Sequence, residues 1–242
     1  MLDCISVENM RLSDRKTIES FTPSLTLMYR AAMGVFLAAV WRGDIAIAVG
    51  SGNNGGDGFA LACILKERGF DCRVVTLSGK LSPDSAFYAE KAKQIGVRIR
   101  PFASGCFEGA DVIVDCLLGT GFSGSIRESY AAAINEMNAS GAYVVSVDIP
   151  SGMNGDTGEA DLAVLSDLTV TIGFVKIGML APSAGEYMKR LVCADIGIVL
   201  DREEYKICSD DEWNENYARL DIFRRCPPYL NMRTINVRGV KY

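Results

Sequence analysis

Residues 45–68 read IAIAVGSGNNGGDGFALACILKER, and this stretch decides the fold. Ile45 to Val49 is a short, continuously apolar run, the pattern of a strand buried on both faces of a parallel sheet. The loop GSGNNGGDG (50–58) follows, and Phe59 to Arg68 then reads as an apolar helix that Gly69 ends. A strand, a glycine-rich turn and a helix in that order make one βα unit.

The chain repeats this plan on the far side. Cys72 to Leu77 reads as a second strand, Asp84 to Ile95 as a helix closed by Gly96, and Val97 to Ile99 as a short strand. The apolar run Asp111 to Leu117 leads into GTGFSGS (119–125), and Glu128 to Ala139 is the next helix. Tyr143 to Val147 is a strand ending in DIPSG (148–152); Leu168 to Ile172 and Leu191 to Ile198 complete the set. Ahead of residue 45, Ser6 to Trp41 reads as helical, with Pro23-Ser24 opening a second apolar helix over Leu25 to Val40. Strands alternating with helices predict an α/β domain with a doubly wound, mostly parallel sheet. From Asp201 onward the chain is densely charged, with Trp213 and Pro227-Pro228. The expected organisation is therefore a domain over 1–200 and a charged tail over 201–242, packed as an appendage or partly loose.

Bulk properties remove several classes of function. A net charge of −5 and a pI near 5.0 argue against a nucleic-acid partner, which needs a basic face. They leave room for an anionic small ligand held by backbone N–H groups at a helix start. None of the eight cysteines is spaced C-x-x-C, which favours free thiols in a reducing compartment over disulfides or zinc. The apolar run Ala31 to Trp41 is shorter than the roughly 20 residues that cross a bilayer. Asp3, Glu8 and Asp14 are out of place in a targeting segment, so the expectation is a soluble, cytoplasmic protein with no membrane partner. There is no histidine. Ser-His-Asp hydrolysis, histidine zinc sites and imidazole shuttles are thereby excluded, and proton transfer falls to Asp, Glu, Lys, Cys, Tyr or water.

In an open parallel sheet, ligands bind beyond the carboxyl ends of the strands where strand order reverses. Three polar or glycine-rich segments follow apolar strands here: GSGNNGGDG, GTGFSGS and DIPSG. Any one of them could serve a plain turn, but three on one edge make a site. Gly50 to Gly55 spells G-x-G-x-x-G, a pattern that in dehydrogenases is completed by an acidic residue at the end of the second strand. Asp71 instead precedes CRVVTL, whose far end is Ser78-Gly79-Lys80. The dehydrogenase reading fails this second test. Asp115 and Asp148 lie near strand ends, where a carboxylate is expected to be partly buried and so hydrogen-bonded, paired or cation-bound, unless it only caps a loop.

GSGNNGGDGFALACIL, VDCLLGTGFSG and VDIPSGMNGDTG, in this order, strongly resemble the NAD(P)H-hydrate epimerase family, the YjeF N-terminal domains. The likeness extends to ENMRLSDRKTIES (8–20), TVTIGFVKIGML (169–180) and ADIGI (194–198), covering about residues 6–200. It implies a Rossmann-like, three-layer α/β/α sandwich. It also implies a metabolite-repair isomerase that interconverts the R and S epimers of hydrated NADH and NADPH, called NADHX and NADPHX. A separate dehydratase would then act on the S form, and a homodimer is one possible assembly. By position, Asn53, Asn54, Gly55, Gly56 and Asp57 would line the nucleotide, as would Gly119, Thr120, Gly121, Phe122, Ser123, Gly124 and Ser125. Asp148 would contact the hydrated ring as the acid–base group, and Lys176 would hold phosphate or a ring substituent, the alternative being a solvated lysine at a strand end. Asn54, Asp115 and Ser151 would give oxygens to one potassium ion per subunit; one carboxylate with two neutral oxygens suits a singly charged ion better than a divalent one, with hydrated magnesium as the alternative.

Two features depart from the family pattern. In LMYRAAMG (27–34), Tyr29 stands where relatives carry an acid and Ala32 where they carry glycine. The chain also stops at Tyr242, whereas many relatives continue into a dehydratase domain, so the epimerase alone is expected. A binding module without catalysis is the main rival, but it should have lost residues such as Asn54, Asp115, Asp148 or Ser151, and all four are present.

Overall fold

A computed structural model describes residues 2–122, 124–207, 220–222 and 231–235. The chain opens with β1 (Leu2–Ile5), α1 (Val7–Ser20) and α2 (Ser24–Ala38), then β2 (Ile45–Val49), α3 (Asn53–Glu67), β3 (Cys72–Thr76), α4 (Pro83–Gln94) and β4 (Arg98–Pro101). β5 (Val112–Cys116), α5 (Glu128–Ala139), β6 (Tyr143–Val147), β7 (Leu168–Ile172), β8 (Val175–Lys176), β9 (Leu191–Asp195) and β10 (Tyr205–Ile207) follow, with β11 (Leu220–Ile222) and β12 (Asn231–Ile235) beyond.

Seven parallel strands lie in the order β9–β7–β6–β5–β2–β3–β4. β12 joins β9 antiparallel and β11 joins β12, widening the sheet by two strands. The alternation of side chains along each strand feeds two cores. Ile45, Ile47, Val49, Val112 and Val114 face α2, α3 and α4. Ala46, Ala48 and Ile113 face the other way, against Tyr130, Ile134 and Met137 of α5 and against Phe107. Helices thus cover both faces in a three-layer α/β/α sandwich, as expected. Val49 and its four predecessors are fully buried, which is why this strand reads as an unbroken apolar run.

One boundary differs in a way that matters for the site. α3 begins at Asn53, not at Phe59, so NNGGDG is the first two turns of a helix rather than loop. Its glycines disfavour helix by about 1 kcal/mol each relative to alanine, but close packing requires them. A Cβ on Gly55 would lie 2.3 Å from the Gly50 carbonyl oxygen, and one on Gly58 would lie 2.7 Å from Val49.

The short strands β1, β8 and β10 form a separate small sheet, β1 parallel to β8 and antiparallel to β10. In the tail, Glu204 accepts from the Ser6 amide at 2.6 Å and from its hydroxyl at 2.8 Å, and Asn9 donates to the Arg202 carbonyl at 2.7 Å. Trp213 and Pro227-Pro228 lie outside the described residues. So do Cys208 and Cys226; the other six cysteines are buried free thiols. Among the described residues, no helix is long and apolar enough to cross a membrane.

Candidate functional site

Strand order reverses between β2 and β5. From β2 the chain proceeds to β3 and β4 on one side, and from β5 to β6, β7 and β9 on the other. Beyond the carboxyl ends of this pair the two chains meet: the Gly50 amide donates to the Cys116 carbonyl at 3.1 Å, and a Cβ on Gly50 would lie 2.0 Å from the Leu117 oxygen. A cavity of about 760 Å³ opens at this point. Ser51, just before α3, and Asn53, Asn54 and Asp57 in its first turns supply part of its wall; the segment after β5 supplies Leu117 to Phe122 with Ser125 and Arg127; α1 and α2 close it with Arg11, Asp14 and Met28.

Asp148 enters from the end of β6. It is the one described non-glycine residue with a positive φ, 69°, a conformation that costs of order 1–3 kcal/mol and persists only where the surroundings impose it. Its amide donates to the Val170 carbonyl at 2.8 Å, which anchors the turn to β7. Its side chain is 14% exposed. One carboxylate oxygen, Oδ1, is ion-paired with the Lys176 ammonium; the other, Oδ2, receives a long hydrogen bond of 3.4 Å from the Thr120 amide.

Asp115, at the end of β5, is wholly buried. It accepts from the Leu117 amide at 3.2 Å, the Ser146 hydroxyl at 2.9 Å, and the Ser151 amide and hydroxyl at 2.8 and 2.5 Å. Burial pushes its carboxyl above the ordinary value, against the pull of those hydrogen bonds. None of the ion pairs among the described residues includes it. On the cavity wall, Asn54 has both amide atoms buried without a hydrogen-bond partner among the described residues. A Cβ on Gly119 would lie 3.2 Å from the Asn54 Cβ and 3.3 Å from Asp148 Oδ2, so that glycine lies between the two. Asn54 and Asp148 thus share the cavity wall, and Ser151 joins Asp115 to the Leu118 backbone beside it.

Residues 24–178 match the family model described as YjeF-related protein N-terminus. The chain belongs to this family. A protein of Lentilactobacillus buchneri named NAD(P)H-hydrate epimerase is 34% identical over 212 residues, covering 82% of this chain and 96% of the relative. An Archaeoglobus fulgidus protein named bifunctional NAD(P)H-hydrate repair enzyme Nnr is 35% identical over 225 residues, 91% of this chain and 47% of its own length. In structure, yeast ynu0 aligns with a TM-score of 0.73 over 87% of this chain and 98% of its own; at 20% identity that likeness speaks for the fold.

Of the residues expected at the YjeF-type site, Asn53, Asn54, Asp57, Gly119, Thr120, Gly121, Phe122, Ser125 and Asp148 line the cavity. Gly55 and Gly56 do not; they are buried in α3, where a Cβ on Gly56 would lie 2.5 Å from Met28. Gly124 is off the wall, at a φ of 91°, and Ser123 lies outside the described residues. Asp115 and Ser151 sit one layer down, the Ser151 hydroxyl accepting from the Leu118 amide at 2.8 Å. Lys176 needs correction on both of its expected placements. It is neither solvated nor on the cavity wall, but fully buried behind Asp148.

Sequence reasoning missed the contribution of α1. Arg11 reaches the Thr120 carbonyl at 2.6 Å, and Asp14 lines the cavity. Burial raises the Asp14 carboxyl, reinforced by the charge of Asp148 and opposed by Lys176. Asp57 is pushed well above the ordinary range by burial first, then by Asp148 and Asp14. A signal existed: Met10, Asp14 and Ile18 recur at i, i+4, i+8, which puts a carboxylate in line with two apolar side chains.

Proposed function

We propose that the protein is an NAD(P)H-hydrate epimerase, interconverting the R and S forms of NADHX and NADPHX with Asp148 as the acid–base group. The observation that carries this reading is the placement of Asp148: a carboxylate held in a strained turn on the wall of the switch-point cavity, in a family whose relatives bear that name. The reacting carbon of the substrate bears a hydroxyl and the ring nitrogen. Inverting it means breaking and remaking a bond there while a proton moves on and off oxygen. With no histidine in the chain, a positioned carboxylate supplies that transfer, a role worth about 10²–10⁴-fold. Oδ2 of Asp148, bound among the described residues only by the long contact from Thr120, is the oxygen free to take or give the proton.

The remaining wall suits the rest of such a molecule. The first amides of α3 have no intrahelical partners and point at the cavity end of the helix, where phosphate oxygens are favoured. Gly119 to Phe122 line the same cavity. The nicotinamide is itself the substrate, so no redox cofactor is consumed.

The buried groups also fit a potassium ion. Among the described residues, Asn54 presents an amide oxygen without a donor and Asp115 is a buried carboxylate in no ion pair, and Ser151 adds a hydroxyl. Hard oxygens of this kind select a hard cation. When bound, the ion would supply positive charge that offsets Asp115 beneath the Gly119 segment. Relatives named bifunctional repair enzymes support pairing with a second repair activity, proposed here as a dehydratase acting on the S form.

The direct test is chromatography of an R/S mixture displaced from equilibrium, with and without the protein. Interconversion should run well above the spontaneous rate, and Asp148→Asn should stay folded while losing about 10²-fold or more of it. Interconversion no faster than in buffer would reject the activity, and full activity in the variant would reject the assignment of Asp148.

A further inference from the structure

We propose that Lys176 is a positioning residue, which holds Asp148 from behind so that one carboxylate oxygen is fixed and the other is presented to the substrate. This rests on the reading of Asp148 as the acid–base group. Lysine has three N–H donors, and all three have acceptors: Asp148 Oδ1, the Thr171 hydroxyl at 2.9 Å and the Ile172 carbonyl at 2.9 Å. No donor remains for a phosphate or a ring substituent, and the side chain is fully buried. Lysine is almost never fully buried unless paired, because removing an ammonium from water is costly.

The fold goes to some length to place it. Gly173, at a φ of 74°, lets the chain turn back after β7. β8 then pairs with β1, Ile5 opposite Lys176. The lysine thus projects toward the end of the strand it has just left, and its ammonium shares the Ile172 carbonyl with the Phe174 amide. The result is asymmetric at Asp148. Oδ1 has the short ion pair and a marginal contact of 3.5 Å from the Ile172 amide, whereas among the described residues Oδ2 has only the 3.4 Å contact from Thr120.

Charge supports the same assignment. The carboxyls of Asp14 on α1 and Asp57 on α3 line the cavity with Asp148, and each feels its negative charge. Lys176 is the buried cation among them. Without it Asp148 would face two carboxyls with only the long contacts from the Thr120 and Ile172 amides to hold its rotamer, and a misplaced acid–base group lowers the rate of the chemical step rather than the binding of substrate.

The experiment measures kcat and KM separately for Lys176→Met, Lys176→Ala and Asp148→Asn, each checked for folding by circular dichroism. Lys176→Met should lower kcat by roughly 10²-fold, a large part of what a general acid–base group supplies, with KM nearly unchanged. Adding propylammonium to Lys176→Ala should restore part of kcat, and 1-propanol at the same concentration should not. A rise in KM with kcat intact would return Lys176 to substrate binding, and an unchanged kcat would leave it structural; either overturns the proposal. If the Lys176 variants do not fold, Thr171→Val decides: it keeps the charge but removes one anchor, and should lower kcat several-fold at constant KM, whereas parental kcat would count against positioning. Asp148→Asn separates the two ideas. Activity retained there defeats the acid–base reading itself, while its loss together with an unaffected Lys176→Met defeats only the role of the lysine.

Discussion

Asp57 faces the cavity with Asp14 and Asp148 as neighbours, and its carboxyl holds a proton far more tightly than the ordinary value of 3.8, because of burial first and then those like charges. The folded protein therefore binds this proton better than the unfolded chain does. The stabilisation is fully present below a pH of about 3.8 and is lost as pH rises through the raised folded value. Asp57→Asn removes that loss. The variant should melt at a higher temperature than the parent at neutral pH, with the gap closing as pH falls toward 4 in a thermal-melt series; a lower melting temperature at neutral pH would contradict it. Gly58 sets propensity against packing. Alanine would gain about 1 kcal/mol of helix propensity, but its Cβ would sit 2.7 Å from Val49 and 3.0 Å from Cys116. Overpacking of this kind costs about 1–3 kcal/mol, so Gly58→Ala should destabilise in urea titration despite being the better helix former. A helix reading based on propensity alone stops short of Gly58 for the same reason: the contact that demands glycine comes from β2 and β5.

α1 bears on the site through its anchorage. Ser6 caps it, accepting from the Asn9 amide at 3.2 Å, and Glu204 takes both the amide and the hydroxyl of Ser6. Although burial works against it, these bonds with those from Asn9 and Arg202 hold the Glu204 carboxyl below its ordinary value of 4.5. Its contribution to stability is thus present above that value and is lost as pH falls through the lower folded one. Glu204→Ala should cost about 1.5–3 kcal/mol by chemical denaturation, the range for hydrogen bonds to a charged group, and should loosen the wall carrying Arg11 and Asp14. Stability unchanged within error would mean that the latch has no energetic role. At this scale the buried strands were readable, since β2, β6, β7 and the helix α5 fall at their expected bounds. β1 and β8, of four and two residues, are too short for any periodicity to register, and they are the pair that seats Lys176.

For the molecule as a whole, a cation held by buried groups is linked to folding: a ligand that binds only the folded state stabilises it by about 2.7 kcal/mol at a hundred times its dissociation constant. Potassium chloride should raise the melting temperature above that in choline chloride of equal ionic strength, and Asn54→Ala should abolish the difference while leaving the choline value nearly unchanged, since neither amide atom of Asn54 is hydrogen-bonded among the described residues. Equal melting temperatures in the two salts would reject the ion. The sequence alone determined the parallel layering and the edge at which chemistry occurs, because strands buried on both faces must be apolar throughout and the glycines and acids between them can lie only at the strand ends. It also ruled out imidazole chemistry. Tertiary structure decided the rest. Which carboxylates share a cavity, which is paired and where Lys176 points depend on contacts between β1, α1, β5, β6 and β8, far apart along the chain, and a residue's charge environment is set by what packs against it.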